Sequence, residues 1–243
     1  MNNIIIGLIG SFIWFLIGYI FNKLLHFIKD IKPVKKLWSI KDPKNLIIVA
    51  STSTETDTGE YFRPATGIGQ LRALGYSIVS LSKAYDVIIQ NILLSNDQVQ
   101  KQIEKDIIIL GGPKNNIITR LFLEKIYEIN NIATQNVNTI KWFENGEEKE
   151  YNGVKKDKKV VKDYGLIIKT RNPFSSEKDK TSICLFTGCH TYGTIAAAKY
   201  YTNYHIKTIK TFSKEIENLF LLVECDVLDG FPVGIKLIKS YEF

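Results

Sequence analysis

Residues 4 to 21 carry no charged side chain, and that stretch limits what the rest of the chain can be. At 1.5 Å per residue it would make a helix about 27 Å long, close to the hydrocarbon thickness of a bilayer. The apolar pattern runs on through Leu24, Leu25, Phe27 and Ile28, where Lys23 and Lys29 can lift their ammonium groups to the headgroups. A helix of a soluble core usually keeps one polar stripe, whereas this one is apolar on all sides. The expectation is a single membrane pass over residues 1–29. Met1-Asn2-Asn3 offers no basic n-region and no small-x-small cleavage site follows, so an uncleaved anchor is expected rather than a signal peptide.

Charge then sets the orientation. Residues 22 to 44 hold seven lysines and two aspartates, which account for +5 of the net charge of +7. A positive flank stays on the cytoplasmic side, so a single-pass cell-membrane protein with a cytoplasmic C-terminal domain is expected. Basic residues this close to a bilayer, Lys35 and Lys36 among them, are drawn to anionic lipid at about 1 kcal/mol each. That placement points to headgroups rather than to direct nucleic-acid binding. Residues 30–44 read as a basic juxtamembrane linker, with breaks at Lys32-Pro33 and Lys41-Asp42-Pro43. Residues 45–243 are long enough for one domain with a substantial core. Cys184, Cys189 and Cys225 show no metal-ligand spacing and read as reduced core thiols, and no metal or cofactor is expected.

Along the head, Leu46–Ala50 and Ile107–Leu110 are continuous apolar runs, the pattern of strands covered on both faces. A helix is expected from Pro64 to Leu74 with Gly75 as its stop, then a strand at Ser77–Leu81. Tyr85–Leu94 is ambiguous. Asn96–Glu104 reads as a helix capped by Asn96 or Asp97. Ile118–Ile129 has the spacing of a helix with one buried face. Thr139–Phe143 and Glu148–Tyr151 flank Asn145-Gly146 and predict a β-hairpin. Lys155–Lys162 reads as a solvated loop able to touch phosphate. Strands are expected at Gly165–Lys169, Ser182–Phe186, Leu219–Cys225 and Val233–Ile238, with a helix over Thr194–Tyr204. The predicted fold is α/β: a transmembrane helix, then a Rossmann-like head with a mixed sheet and an inserted β-hairpin.

Three loops after apolar strands are rich in glycine, hydroxyls and amides. They supply Ser51 and Thr52, then Gly111, Gly112 and Asn115, then Gly188, Thr191, Gly193 and Thr194. Ligands of open α/β sheets bind beyond the carboxyl ends of the strands, where helix N-termini offer free N–H groups to anions. Arg63, Arg72, Lys114, Arg120, Lys169, Arg171 and His190 are the expected anion-meeting residues. Gly67-x-Gly69 is not a dinucleotide fingerprint, because its third glycine is absent. Cys189 and His190 are adjacent and point apart on an extended chain, which argues against a nucleophile pair. A different chemistry is open to Glu55 and Glu60, which could stabilise an oxocarbenium-like ribose in a nucleotide or NAD glycohydrolase.

The N-terminal pass, lysine-rich neck and α/β head come with a set of loop motifs. These are Thr56-Asp57-Thr58-Gly59, Gly111-Gly112-Pro113-x-Asn115, Asp163-Tyr164-Gly165 and Gly188-Cys189-His190-x-Tyr192-Gly193-Thr194. Together they resemble the transmembrane effector associated with short archaeal Argonautes in prokaryotic abortive-infection immunity. The resemblance implies an antiviral toxin that disrupts or depolarises the cell membrane once a nucleic-acid-sensing Argonaute complex detects an invader. It carries over no catalytic residues. A single helix without charge cannot line a pore alone, so a homo-oligomer is expected, with Gly7, Ser11 and Gly18 near one face for close helix packing. A bare sensor or scaffold on the same anchor is the third reading of the residues.

Overall fold

In the computed structural model, residues 2–95, 97–176, 178–208 and 218–242 are described, with the backbone alone at 2–4, 6, 97 and 204–208. The apolar stretch forms α1 (Asn2–His26), a π turn (Phe27–Ile31) and α2 (Lys32–Trp38) in unbroken succession. Lys32 N–H reaches Phe27 O across the wider π spacing. Pro33 follows in the first turn of α2, and the register shift of the π turn just before it accommodates a residue with no N–H to donate. The helix expected to end at Lys32-Pro33 therefore runs on, and it stops at Ser39, whose φ is 50°. Most side chains from Leu8 to Ile28 are exposed; Trp14 is 73 % and Leu8 65 % accessible. Gly7–Trp38 is long and apolar enough to cross a membrane. Ser11 donates its hydroxyl to Gly7 O at 3.0 Å, so this polar group is satisfied within the helix.

Beyond the π turn the helix enters the head. Val34, Leu37 and Trp38 are buried in its core. The Trp38 ring lies edge-on to Tyr201 and Phe186, at 5.1 and 6.1 Å, and its Nε1–H donates to Ser80 Oγ. Residues 30–44 are thus rooted in the head, and the segment after Trp38 is tied down as well. Asp106, itself buried, accepts from Lys41 N–H and Asp42 N–H with one oxygen and from Ser182 N–H with the other.

The head is α/β. Its elements after α2 are β1 (Ile47–Ala50), β2 (Thr54–Asp57), β3 (Phe62–Ala65), α3 (Ile68–Leu81), β4 (Ile92–Leu94), α4 (Asp97–Gln100), β5 (Ile107–Leu110) and α5 (Ile117–Asn130). Then come β6 (Ala133–Asn136), β7 (Thr139–Glu144), β8 (Glu147–Asn152), β9 (Val154–Lys156), β10 (Lys159–Arg171), β11 (Ser182–Gly188), α6 (Thr191–Thr208), β12 (Leu219–Leu228) and β13 (Phe231–Glu242). The main sheet has eight strands in the order β13-β12-β10-β11-β5-β1-β4, with β9 against β10. The strands β11, β5, β1 and β4 are parallel, while β10, β12 and β13 join antiparallel.

Alternation in the central strands explains the layers. Ile48, Ile108, Leu110, Cys184 and Phe186 face α2, α3 and α6. Ile47, Val49, Ile107, Ile109 and Leu185 face α5 and a small antiparallel sheet, β6-β7-β8. Both faces are covered, which is why these strands read as unbroken apolar runs. In the expected hairpin, Asn145 and Gly146 take φ of 54° and 81° between β7 and β8, the left-handed pair that a two-residue turn demands.

Several elements differ from the sequence expectation. Ser77–Leu81 closes α3 rather than forming a strand, because Ser77, Ser80 and Leu81 share the buried face at helical spacing. Gly75, the expected stop, lies inside α3. Residues 54–65 form a hairpin, β2 with β3, that pairs with nothing else. The helix expected over 96–104 is a single turn, α4, and Asn96 lies outside the described residues. Residues 155–162 are mostly paired, with Asp157 and Lys158 both at positive φ in the turn between β9 and β10.

Candidate functional site

The loops that leave β1, β5 and β11 at their carboxyl ends converge on a crevice of about 330 Å³. Ser51, Gly112, Asn115, Gly188, Thr191 and Thr194 line it, joined by Lys114 and His190. Gln70 of α3 and Lys155 of β9 complete the rim. Thr52 is held beside it by a hydrogen bond to Ser95 O. Gly111 takes φ +103°, and a Cβ there would sit 2.9 Å from Ser51 Oγ.

The start of α6 is pressed onto the sheet through three glycines. A Cβ at Gly165 would fall 2.3 Å from Gly193 O, one at Gly188 2.4 Å from Thr194 N, and one at Gly193 2.0 Å from Tyr164 O. Beneath that contact lies Asp163, with no exposed side-chain surface. Its carboxylate accepts from Gly193 N–H at 2.6 Å, His190 N–H at 3.1 Å and Tyr164 N–H at 3.0 Å. His190 Nδ1 stands 3.3 Å from the same carboxylate. An acceptor there draws the ring proton to Nδ1, which leaves Nε2 as the ring's other polar atom. Nε2 is buried and meets no partner among the described residues, and neither does the hydroxyl of Ser51.

Two further polar groups flank the site. Tyr164 donates its phenol to Glu224 at 2.9 Å, and burial, helped by that bond, pushes the phenol up to about 12. Burial works against the Glu224 carboxylate, but hydrogen bonds from Lys162 and Tyr164 outweigh it and hold the group below its usual range. Gln135 clamps the floor, donating to Gly188 O and accepting from Thr187 Oγ1.

A second, larger pocket of about 780 Å³ lies at the opposite end of the sheet, where the apolar helix leaves the head. Lys35, Lys41 and Lys44 line it together with Tyr85, Asp86 and Ile88. Its walls are fixed: Tyr85 donates to Lys35 O at 3.3 Å and Asn91 to Lys44 O at 2.9 Å.

The other expected residues are scattered. Lys36 is half-buried on α2, next to the rooted Leu37. Arg63 is exposed on β3. Arg72 binds Gly230 O and stacks on Phe231, 4.1 Å from the ring centre. Arg120 lines a third cavity, of about 420 Å³, on the far side of Lys114. Lys169 is buried and donates to Ser39 Oγ at 2.8 Å, a structural tie between β10 and the root of the helix. Arg171 reaches Ser176 O at the end of β10 remote from the crevice. Glu55 and Glu60 are exposed on and beside the β2–β3 hairpin and do not line the crevice.

Sequence reasoning missed Asp163, Gln70 and Gln135 as site residues. The available signal was a lone acid between two strand-forming runs, Val160-Val161 and Leu166-Ile167-Ile168. Among the described residues, no three His, Cys, Asp or Glu side chains gather as a metal site. No family model matches the chain, and no curated protein matches its sequence.

All three cysteines are free and buried, and burial pushes each thiol up to about 12. Since the thiolate is the reactive form, the native protein is expected to resist a thiol reagent at mildly alkaline pH. All three should react once denaturant is added. Rapid labelling of Cys189 in the native state would contradict the burial of the crevice floor.

Proposed function

We propose that this chain is a membrane-anchored effector whose head rests on anionic headgroups through the lysine pocket and whose helices, in several copies, breach the bilayer on activation. The carrying observation is the unbroken path from an exposed apolar helix into the head core at Val34, Leu37 and Trp38, beside a pocket lined by Lys35, Lys41 and Lys44. An anchor serving only as a tether needs no such root. The resemblance noted above supplies the setting: prokaryotic antiviral defence, with a nucleic-acid-sensing Argonaute complex as the activating partner and the C-terminal domain in the cytoplasm. The glycohydrolase reading is weaker, because Glu55 and Glu60 are exposed and lie away from any enclosing wall.

Dye leakage from liposomes tests this, with and without anionic lipid and with an activating partner. The intact chain is expected to cause leakage that needs both residues 1–30 and anionic lipid. In a chain lacking residues 1–30, replacing Lys35, Lys41 and Lys44 with alanine should weaken binding to anionic vesicles by about 3 kcal/mol, roughly a hundredfold, at about 1 kcal/mol per charge. Absence of leakage under every lipid mixture and partner would reduce the helix to a tether and end the effector reading.

A further inference from the structure

We propose that the crevice at the carboxyl ends of β1, β5 and β11 binds the phosphate group of a small, free phosphorylated ligand of about mononucleotide size.

The first ground is the hydroxyl of Ser51. Ser51 is 0 % exposed, lines the crevice and has no hydrogen-bond partner for its Oγ among the described residues. Burying a hydroxyl with no hydrogen-bond partner is costly, so a partner delivered from the crevice accounts for its placement. His190 Nε2 is in the same condition and lines the same space. With the Nδ1 proton directed to Asp163, Nε2 accepts from a ligand hydroxyl or from a protonated phosphate oxygen.

The second ground is charge. Lys114, from the loop after β5, and Lys155, from β9, are exposed on the rim and make no ion pair among the described residues. Thr191 and Thr194 add hydroxyls at the first turn of α6. Asp163 accepts from the N–H groups of His190, Gly193 and Tyr164 from below and already places one negative charge at that helix start, so Lys114 and Lys155 carry the attraction for phosphate. The third ground is size: about 330 Å³ lies at the lower end of the range for small-molecule sites.

Position decides between two sources of phosphate. The crevice lies at the carboxyl ends of β1, β5 and β11, whereas Lys41, Lys44 and Ile88 of the lysine pocket stand before the amino ends of β1 and β4, beside the root of the apolar helix. A free ligand is the fitting occupant, and its site is separate from the lysine pocket.

The test uses the full chain in detergent micelles, with labelled AMP as probe in equilibrium dialysis and with inorganic phosphate and adenosine as competitors. AMP is expected to bind, phosphate to displace it and adenosine to leave it in place. The double variant Lys114→Ala, Lys155→Ala should raise the Kd at least tenfold, and Ser51→Ala should raise it severalfold. Protection of the three cysteine thiols checks that each variant is folded. Alanine at Lys35, Lys41 and Lys44 should leave AMP binding at the wild-type level. The proposal is overturned if neither AMP nor phosphate binds at millimolar concentration, if adenosine competes as well as AMP, or if the double variant binds like wild type. A chain that binds AMP yet never breaches liposomes keeps this site and loses the effector reading, and the reverse result does the opposite.

Discussion

Replacing Trp38 with alanine is expected to lower the unfolding free energy by about 3–5 kcal/mol, the range for deleting a large buried aromatic. Trp38 is 2 % exposed, and its indole fills the space between Tyr201, Phe186 and Ser80. Truncation leaves a cavity at the junction of α2, α3 and α6 and strands the Ser80 hydroxyl, which then lacks its donor. Tyr201 O–H still donates to Leu37 O, so the root should loosen rather than detach. Denaturant titration of the full chain in detergent, followed by far-ultraviolet circular dichroism, measures the loss. Trypsin gives a second readout, since Lys41 and Lys44 should become cleavable as Ser39–Asn45 comes free. Wild-type stability together with wild-type resistance to trypsin would mean that the helix is not rooted where these contacts place it.

Gly193→Ala should be nearly as damaging, for a different reason. The added Cβ would lie 2.0 Å from Tyr164 O and 3.0 Å from Gly188, both of them backbone. No flexible side chain can yield there, so the first turn of α6 must lift from β10 and β11. Ordinary overpacking costs about 1–3 kcal/mol, and a clash with fixed backbone belongs at the top of that range or above it. Lifting the turn also takes Gly193 N–H away from Asp163, which loosens the His190 ring above it. The same denaturant titration should show a loss of about 3 kcal/mol or more, and the variant should bind no AMP. Normal stability with intact AMP binding would show that α6 can shift without disturbing the crevice.

The parts of this fold legible in the sequence are those set by local pattern. Ile47–Ala50 and Ile107–Leu110 alternate between two covered faces, so no polar residue interrupts them, and such a run is recognisable. Asn145-Gly146 demands a turn by backbone sterics alone. The failures come where tertiary contacts override local preference. Ser77–Leu81 has the β-branched look of a strand, yet Ser77 satisfies its hydroxyl on Ala73 O and continues the helix. Lys169 looked like a free cation beside a ligand loop, but the register of β10 points it inward, against Ser39. The three ligand loops could be named from their composition, and the sheet brings them together. The acid beneath them, Asp163, stands out in the sequence only as a lone carboxylate between two strand-forming runs, and its role exists only once α6 has been laid across Gly165 and Gly188.

Under the proposed membrane anchor, the root at Trp38 would make the bilayer part of the head's geometry. A membrane helix answers a change in bilayer thickness by tilting. In most anchored proteins a slack tether absorbs that tilt; here the only irregularity between α1 and the core is the π turn at Phe27–Ile31. On that reading, leaning of α1 would be passed to the head as a rotation that moves the lysine pocket with it. For an anchor of this kind, thickness of the surrounding lipid would be an input to the protein alongside its charge.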